Sequence, residues 1–408
     1  MSLSSAIRSP QVWAWWLFDL GNSSYGVLFL ALLFPVYYRE VLAGGGEVGD
    51  LYWGLAFGGS VGVSALLSPI IGTYADRAGK RRLLLRIFTC IAVAGTASLS
   101  YAPSLGLILC TILLVITNVG YLLGGTIYDT YLAEVSTPLN RSSISGIGWA
   151  LGYLGGIAAA VIFMPWYRTG FLLDPSGYLT SFVLVAVFFL FFAAPSCFVL
   201  PEVRPREGLE KIGVFKQLRQ TFQRRGEFPQ VFRLIVGFAV SYIALSTIFS
   251  FFTIYTNVTL KAAVAEVTVI FLIFQIVGFF SSLIAGIYGD RVGELRILRA
   301  TLVGWILVVI ALLLSPPLKV VYLIAAFCGC LSGPGQASAR ALASRLIPRE
   351  QSGEFFGFFS MAARLAGSLG PALFGVISWA TASQPLALSA NIVFLLVGLA
   401  VLSKLRSG

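Results

Sequence analysis

Asp19, Asn22 and Ser23 are the first residues in this sequence whose types and spacing suit a binding site. They stand at i, i+3 and i+4 in an apolar run, so a helix there carries all three on one face. A carboxylate beside an amide and a hydroxyl can take an ammonium group or carry a proton. It can equally be a structural group that caps or pairs with a neighbouring helix. Arg364 interrupts another apolar run. Its guanidinium fork suits a carboxylate on a ligand, or a fixed partner among the protein's own acids. Asp129 and Glu134 close a third run, and Arg340 and Arg345 close a fourth. Both sets suit salt bridges at a helix end. Tyr25, Trp149 and Tyr153 are weaker candidates, as are Tyr242 and Gln275, because aromatic residues in such runs mostly pack or anchor.

The composition excludes several classes. The chain has no histidine, so imidazole catalysis and His-ligated metals are ruled out. The five cysteines lie in apolar stretches, and none forms a C-x-x-C pair. No Walker A loop is present. We therefore expect no enzyme, no cofactor and no metal. The net charge of +11 is not gathered on a soluble basic face, so no nucleic-acid partner is expected. The early sequence does not read as a cleavable leader, because its apolar stretch is too long and holds Asp19.

Elements that could position these residues follow from the apolar pattern. Hydrophobic residues make up 58% of the 408, and charged residues only 11%, against about 25% in soluble domains. Six apolar runs precede a polar segment at 201–229, and six follow it. In lipid such runs must be helices, because the backbone has no water to bond. The sequence thus predicts an all-α polytopic membrane protein with twelve transmembrane helices. We expect an N-terminal six-helix bundle (1–200), a cytoplasmic amphipathic basic linker (201–229) and a C-terminal six-helix bundle (230–408). Of the 28 Lys and Arg, 23 fall on one side if both termini are cytoplasmic, against four on the other. An ionisable group at mid-bilayer costs about 2.5–3.5 kcal/mol on insertion scales, so Asp19 and Arg364 need a partner or a task.

The sequence also repeats itself. Gly72-Thr73-Tyr74-Ala75-Asp76-Arg77-Ala78-Gly79-Lys80-Arg81-Arg82 recurs 214 residues later as Gly286-Ile287-Tyr288-Gly289-Asp290-Arg291-Val292-Gly293-Glu294-Leu295-Arg296. The glycines permit a tight turn and close helix approach. Arg77, Lys80 and Arg81 can reach Asp129 or Glu134 at the end of helix four, and Asp76 can meet a helix N-terminus or an arginine. Arg340 and Arg345, with Asp290 or Glu354, form the counterpart in the second half, where Arg291 takes the place of Arg77 in the loop. Pairs that form in one conformation and break in another bias a two-state equilibrium. Since Lys80 and Arg81 become Glu294 and Leu295, the first copy is expected to dominate this cytoplasmic gate. Duplicated six-helix halves mark an alternating-access transporter.

This loop resembles the signature between helices two and three of the major facilitator superfamily. Trp15-Trp16-Leu17-Phe18-Asp19-Leu20-Gly21-Asn22-Ser23-Ser24-Tyr25, Ser145-Gly146-Ile147-Gly148-Trp149-Ala150-Leu151-Gly152-Tyr153-Leu154-Gly155-Gly156 and Glu354-Phe355-Phe356-Gly357 look like its vacuole effluxer-like family. Asp129 and Ala133 depart from that pattern, which has an amide and a proline there. The resemblance implies that helices one, four, seven and ten line the cavity, which turns Asp19 and Asn22 toward it. It implies a monomeric secondary transporter, with efflux of an amino acid or similar zwitterion favoured and a proton as coupling ion. A multidrug or hydrophobic-metabolite exporter is the alternative within transport, and a channel or lipid scramblase the alternative outside it. The compact chain points to a bacterial cytoplasmic membrane, with lipid as its surroundings.

Overall fold

Runs this long and apolar satisfy their backbone groups internally only as helices, and the computed structural model has helices throughout. It describes residues 8–137, 141–202, 223, 226–347 and 352–405. The basic linker expected at 201–229 therefore lies almost wholly outside the described residues. Ten described stretches are long and apolar enough to cross a membrane. The stretch from Arg81 to Thr130 holds two helices, and Ile147–Ile162 is a shorter apolar one. The helices thus match the twelve runs, and among the described residues there is no strand.

The first six helices are α1 (Pro10–Leu42), α2 (Gly46–Ala78), α3 (Arg81–Ser98), α4 (Ala102–Thr130), α5 (Arg141–Ile162) and α6 (Pro175–Val199). The second six are α7 (Pro229–Thr259), α8 (Val264–Val292), α9 (Glu294–Leu313), α10 (Leu318–Leu346), α11 (Ser352–Thr381) and α12 (Gln384–Ser403). Packing repeats between the halves. In the first, α1 lies against α5 and α6, and α3 against α4 and α6. In the second, α7 lies against α11 and α12, and α9 against α10 and α12. Both first helices end in a five-residue π-helical turn, Tyr38–Leu42 and Tyr255–Thr259.

Compact grouping of the backbone follows the halves with one exchange. One unit comprises 1–43, 63–210 and 263–268; the other comprises 44–62, 211–262 and 269–408. The first half of α2 therefore belongs with the second-half helices.

The duplicated loops turn at their glycines. Gly79 (φ 63°) and Gly293 (φ 91°) occupy backbone conformations that suit glycine. Lys80 N–H reaches back to the Ala75 carbonyl at 3.1 Å, closing a Schellman-type cap on α2. The expected close approach at Gly72 is absent: a side chain there would meet open space.

The third helix of each half also fastens the carbonyl end of the sixth. Arg82 donates to the Phe198 and Leu200 carbonyls at 3.2 Å, and Arg86 to the Cys197 carbonyl at 2.5 Å. In the second half, Arg299 donates to the Leu402, Ser403 and Leu405 carbonyls at 2.7 to 3.2 Å. Cations at a helix C-terminus meet its unpaired carbonyls and its dipole. Part of the basic charge therefore caps helices.

Candidate functional site

In the first unit, glycine brings α5 onto α1 beside Asp19. A Cβ at Gly155 would sit 2.0 Å from the Leu20 carbonyl oxygen, so only glycine permits this approach. At Gly152 a Cβ would lie 3.0 Å from Ser23 Oγ and 3.4 Å from Asp19 Oδ2. The Asp19 carboxylate and the Ser23 hydroxyl thus lie along the bare backbone of α5. Gly152 and Gly155 of α5 thus serve packing inside this unit.

Aromatic rings join α1 to α4 in the same unit. Tyr128 of α4 is stacked between Trp15 (centroids 4.7 Å) and Phe18 (4.6 Å), and the Trp15 indole donates to its carbonyl at 3.2 Å. Tyr25 and Tyr121 face each other at 4.5 Å. Three buried polar atoms here have no hydrogen-bond partner among the described residues: Asn22 Oδ1, the Tyr25 hydroxyl and the Tyr128 hydroxyl. A buried polar atom left unpaired costs about 1–3 kcal/mol.

In the second unit, Arg364 stands within α11. A Cβ at Gly367 would come within 3.0 Å of the Tyr242 ring of α7, which holds α11 and α7 close together one turn from Arg364.

Of the gate residues, Arg81 pairs with Glu134 at 3.0 Å, one of the pairings expected for it. Lys80 is exposed, with no ion pair among the described residues. In the second half, Glu294 pairs with Arg345 at 2.7 Å, so the second copy is paired as well as the first. The loop acid Glu294 thus takes part in an ion pair where the first copy uses Arg81. Burial pushes the neighbouring Tyr131 hydroxyl up to about 12, so it stays protonated beside Arg81. The side chains of Asp76, Arg77, Asp290, Arg291 and Glu354 lie outside the described residues. Trp149 is exposed, and its ring stands 6.4 Å from that of Tyr153 one turn along α5.

The vacuole effluxer Atg22-like family matches residues 133–406. The chain belongs to this family. Along nearly its whole length it is similar to YxiO of Bacillus subtilis, described as an uncharacterised MFS-type transporter. That identity is 25% over 403 residues, 96% of this chain and 93% of the relative. A homologue of the multidrug resistance efflux pump PmrA from Lactococcus lactis is also 25% identical, over 85% of this chain and 84% of its own. Among solved structures, a variant of the nucleoside transporter NupG superposes with a TM-score of 0.75 at 14% identity, over 98% of this chain and 99% of that one. A D-xylose–proton symporter gives 0.71 at 15% identity, over 99% and 98%. These two likenesses show the fold alone. This member of the vacuole effluxer family is thus an MFS-type transporter, an all-α integral membrane protein whose relative is bacterial.

Sequence reasoning missed Tyr121 and Tyr128 in this family member. Their signal was present: Tyr121, Tyr128 and Asp129 fall at i, i+7 and i+8 on α4, near one helix face. It also missed Asp50, which is fully buried near the start of α2.

Proposed function

We propose that this transporter exports a small zwitterion of the amino-acid kind, with Asp19 taking the ammonium group and Arg364 the carboxylate. The observation that carries this is Asp19, set with Ser23 against the bare backbone of α5. Arg364 within α11 supplies a guanidinium for the carboxylate end of such a solute. Asn22 and Ser23 share the helix face of Asp19 and offer further hydrogen bonds. Rocking of two six-helix bundles would expose the solute to either side of a cytoplasmic membrane, with both termini inside. Asp19 is also the carboxylate we propose for the coupling proton, since no histidine is available.

Counterflow in vesicles tests the assignment. Asp19→Asn should abolish proton-driven accumulation of the amino acid and leave exchange measurable. Arg364→Lys should raise KM by about tenfold, because a point charge replaces a bidentate fork. Full activity with unchanged pH dependence in Asp19→Asn would end both roles of the carboxylate.

A second reading rests on a separate observation. The same helices carry a cluster of rings, Trp15, Phe18 and Tyr25 of α1 with Tyr121 and Tyr128 of α4. A carboxylate among aromatic faces also suits a hydrophobic organic cation, and several relatives carry the name of multidrug resistance proteins. Under this reading Arg364→Lys leaves transport of a cationic dye intact, while Asp19→Asn stops it.

A further inference from the structure

The first turns of α2 are held to the second-half helices by a polar hub in an apolar seam. Asp50 is fully buried. One of its carboxylate oxygens accepts from Ser378 Oγ of α11 at 2.7 Å, and both accept from Gln384 Nε2 of α12 at 2.9 Å. The amide oxygen of Gln384 in turn accepts from Thr259 Oγ1, in the π turn that ends α7, at 2.6 Å. One carboxylate therefore ties three helices of the second half to α2. Around it the seam is built from backbone. A Cβ at Gly54 would sit 2.3 Å from the Pro371 carbonyl oxygen, one at Gly58 2.5 Å from that of Ser368, and one at Gly375 2.6 Å from that of Asp50. The Trp53 indole donates to the Ser250 carbonyl of α7 at 3.2 Å.

The tie does not extend along the helix. Residues 44–62 group with the second-half helices, and from Val63 onward the same continuous helix groups with the first half. A surface of small residues and backbone contacts parts without unlocking interdigitated side chains, so the polar hub decides whether it stays shut. A buried carboxylate is stable while its hydrogen-bond donors are present and costly once they are removed. That is the behaviour of a two-state catch rather than a graded spring.

We propose that Asp50, Ser378, Gln384 and Thr259 form a latch that closes the Gly46 end of α2 onto α7, α11 and α12, and that must open in each transport cycle. Asp50 is a positioning residue here: it acts on the conformational equilibrium, not on the solute. The inference concerns the cycle of the transporter and holds whichever solute it carries.

The test reads opening directly. A Ser250→Cys substitution places a thiol on α7 beneath Trp53, where the seam covers it (Ser250 is 5% exposed). Sealed vesicles are treated with a membrane-impermeant maleimide from the Gly46 side, and each cysteine is read by mass spectrometry. The buried native Cys110 and Cys328 serve as references. Asp50→Asn and Gln384→Ala should each raise labelling at that thiol about tenfold, the population shift that 1.4 kcal/mol represents. The exchanged pair Asp50→Asn with Gln384→Glu restores an acid facing an amide and should return labelling to the starting rate. Turnover should change in the single variants while KM for the solute stays within about twofold. If Asp50→Asn fails to accumulate in the membrane, Ser378→Ala and Thr259→Val carry the same test at the rim of the hub. Unchanged labelling in the variants that fold overturns the latch. So does a rise shared by Cys110 and Cys328, which marks general loosening, or a failure of the exchanged pair to restore protection.

Discussion

Arg81, the first residue of α3, holds Glu134 beyond the end of α4 at 3.0 Å, and the second half repeats this contact with its charges exchanged. There the first residue of α9 is Glu294, and its partner Arg345 lies in the last turn of α10 at 2.7 Å. The residue on the third helix is buried in both copies, while the partner stays partly hydrated. The two copies differ in their relation to the helix dipoles. Glu294 at a helix N-terminus and Arg345 at a C-terminus lie with the field; Arg81 and Glu134 lie against it. The contact has kept its place through the duplication while the electrostatics at its two ends reversed.

This difference predicts an asymmetry between exchanged pairs. Arg81→Glu alone sets two acids together and should lower stability by about 2–4 kcal/mol, below the full cost of a broken buried pair because Glu134 remains hydrated. Adding Glu134→Arg should recover at least the wild-type melting temperature, since both charges then lie with their dipoles, each worth about 0.3–1 kcal/mol. The opposite exchange, Glu294→Arg with Arg345→Glu, should recover incompletely. Thermal unfolding of the detergent-purified variants separates these outcomes. Equal recovery in both halves would remove the dipole from the explanation.

The glycines of α2 and α5 divide into those that a neighbour covers and those that none does. Gly155→Ala drives a methyl into the Leu20 carbonyl and should cost about 1–3 kcal/mol, with loss of transport because Asp19 lies one residue before Leu20. Gly72→Ala meets open space within a helix and should be neutral or stabilising by up to about 1 kcal/mol. Expression level and melting temperature measured side by side read the contrast. A destabilised Gly72→Ala would mean that the loop signature needs this glycine for more than packing.

Helix number and duplicated halves were legible because lipid leaves a long apolar run one conformation and because the repeat kept six residues in register. Asp19 was legible because a carboxylate in such a run has a high cost to explain. Tyr121 and Tyr128 were less so, since tyrosines in membrane helices serve most often as packing, and only the folded chain shows their rings against those of Trp15, Phe18 and Tyr25. The Glu294–Arg345 pair was not legible, because register alignment compares residue with residue, whereas an ion pair joins two charges on different helices. Asp50 escaped because its partners lie more than 300 residues away. No local pattern encodes a contact between α2 and α12.

The loop glycines should also separate. Gly79 lies in the left-handed region that asparagine tolerates, within a Schellman-type cap. Gly79→Asn should therefore cost a few tenths of a kcal/mol, and Gly79→Val more than 1 kcal/mol. Gly293, at φ 91° and ψ 125°, lies where side chains are hardly seen. Gly293→Asn should cost about 1–3 kcal/mol. Comparing the two asparagine variants by thermal unfolding checks this, and equal effects would contradict it.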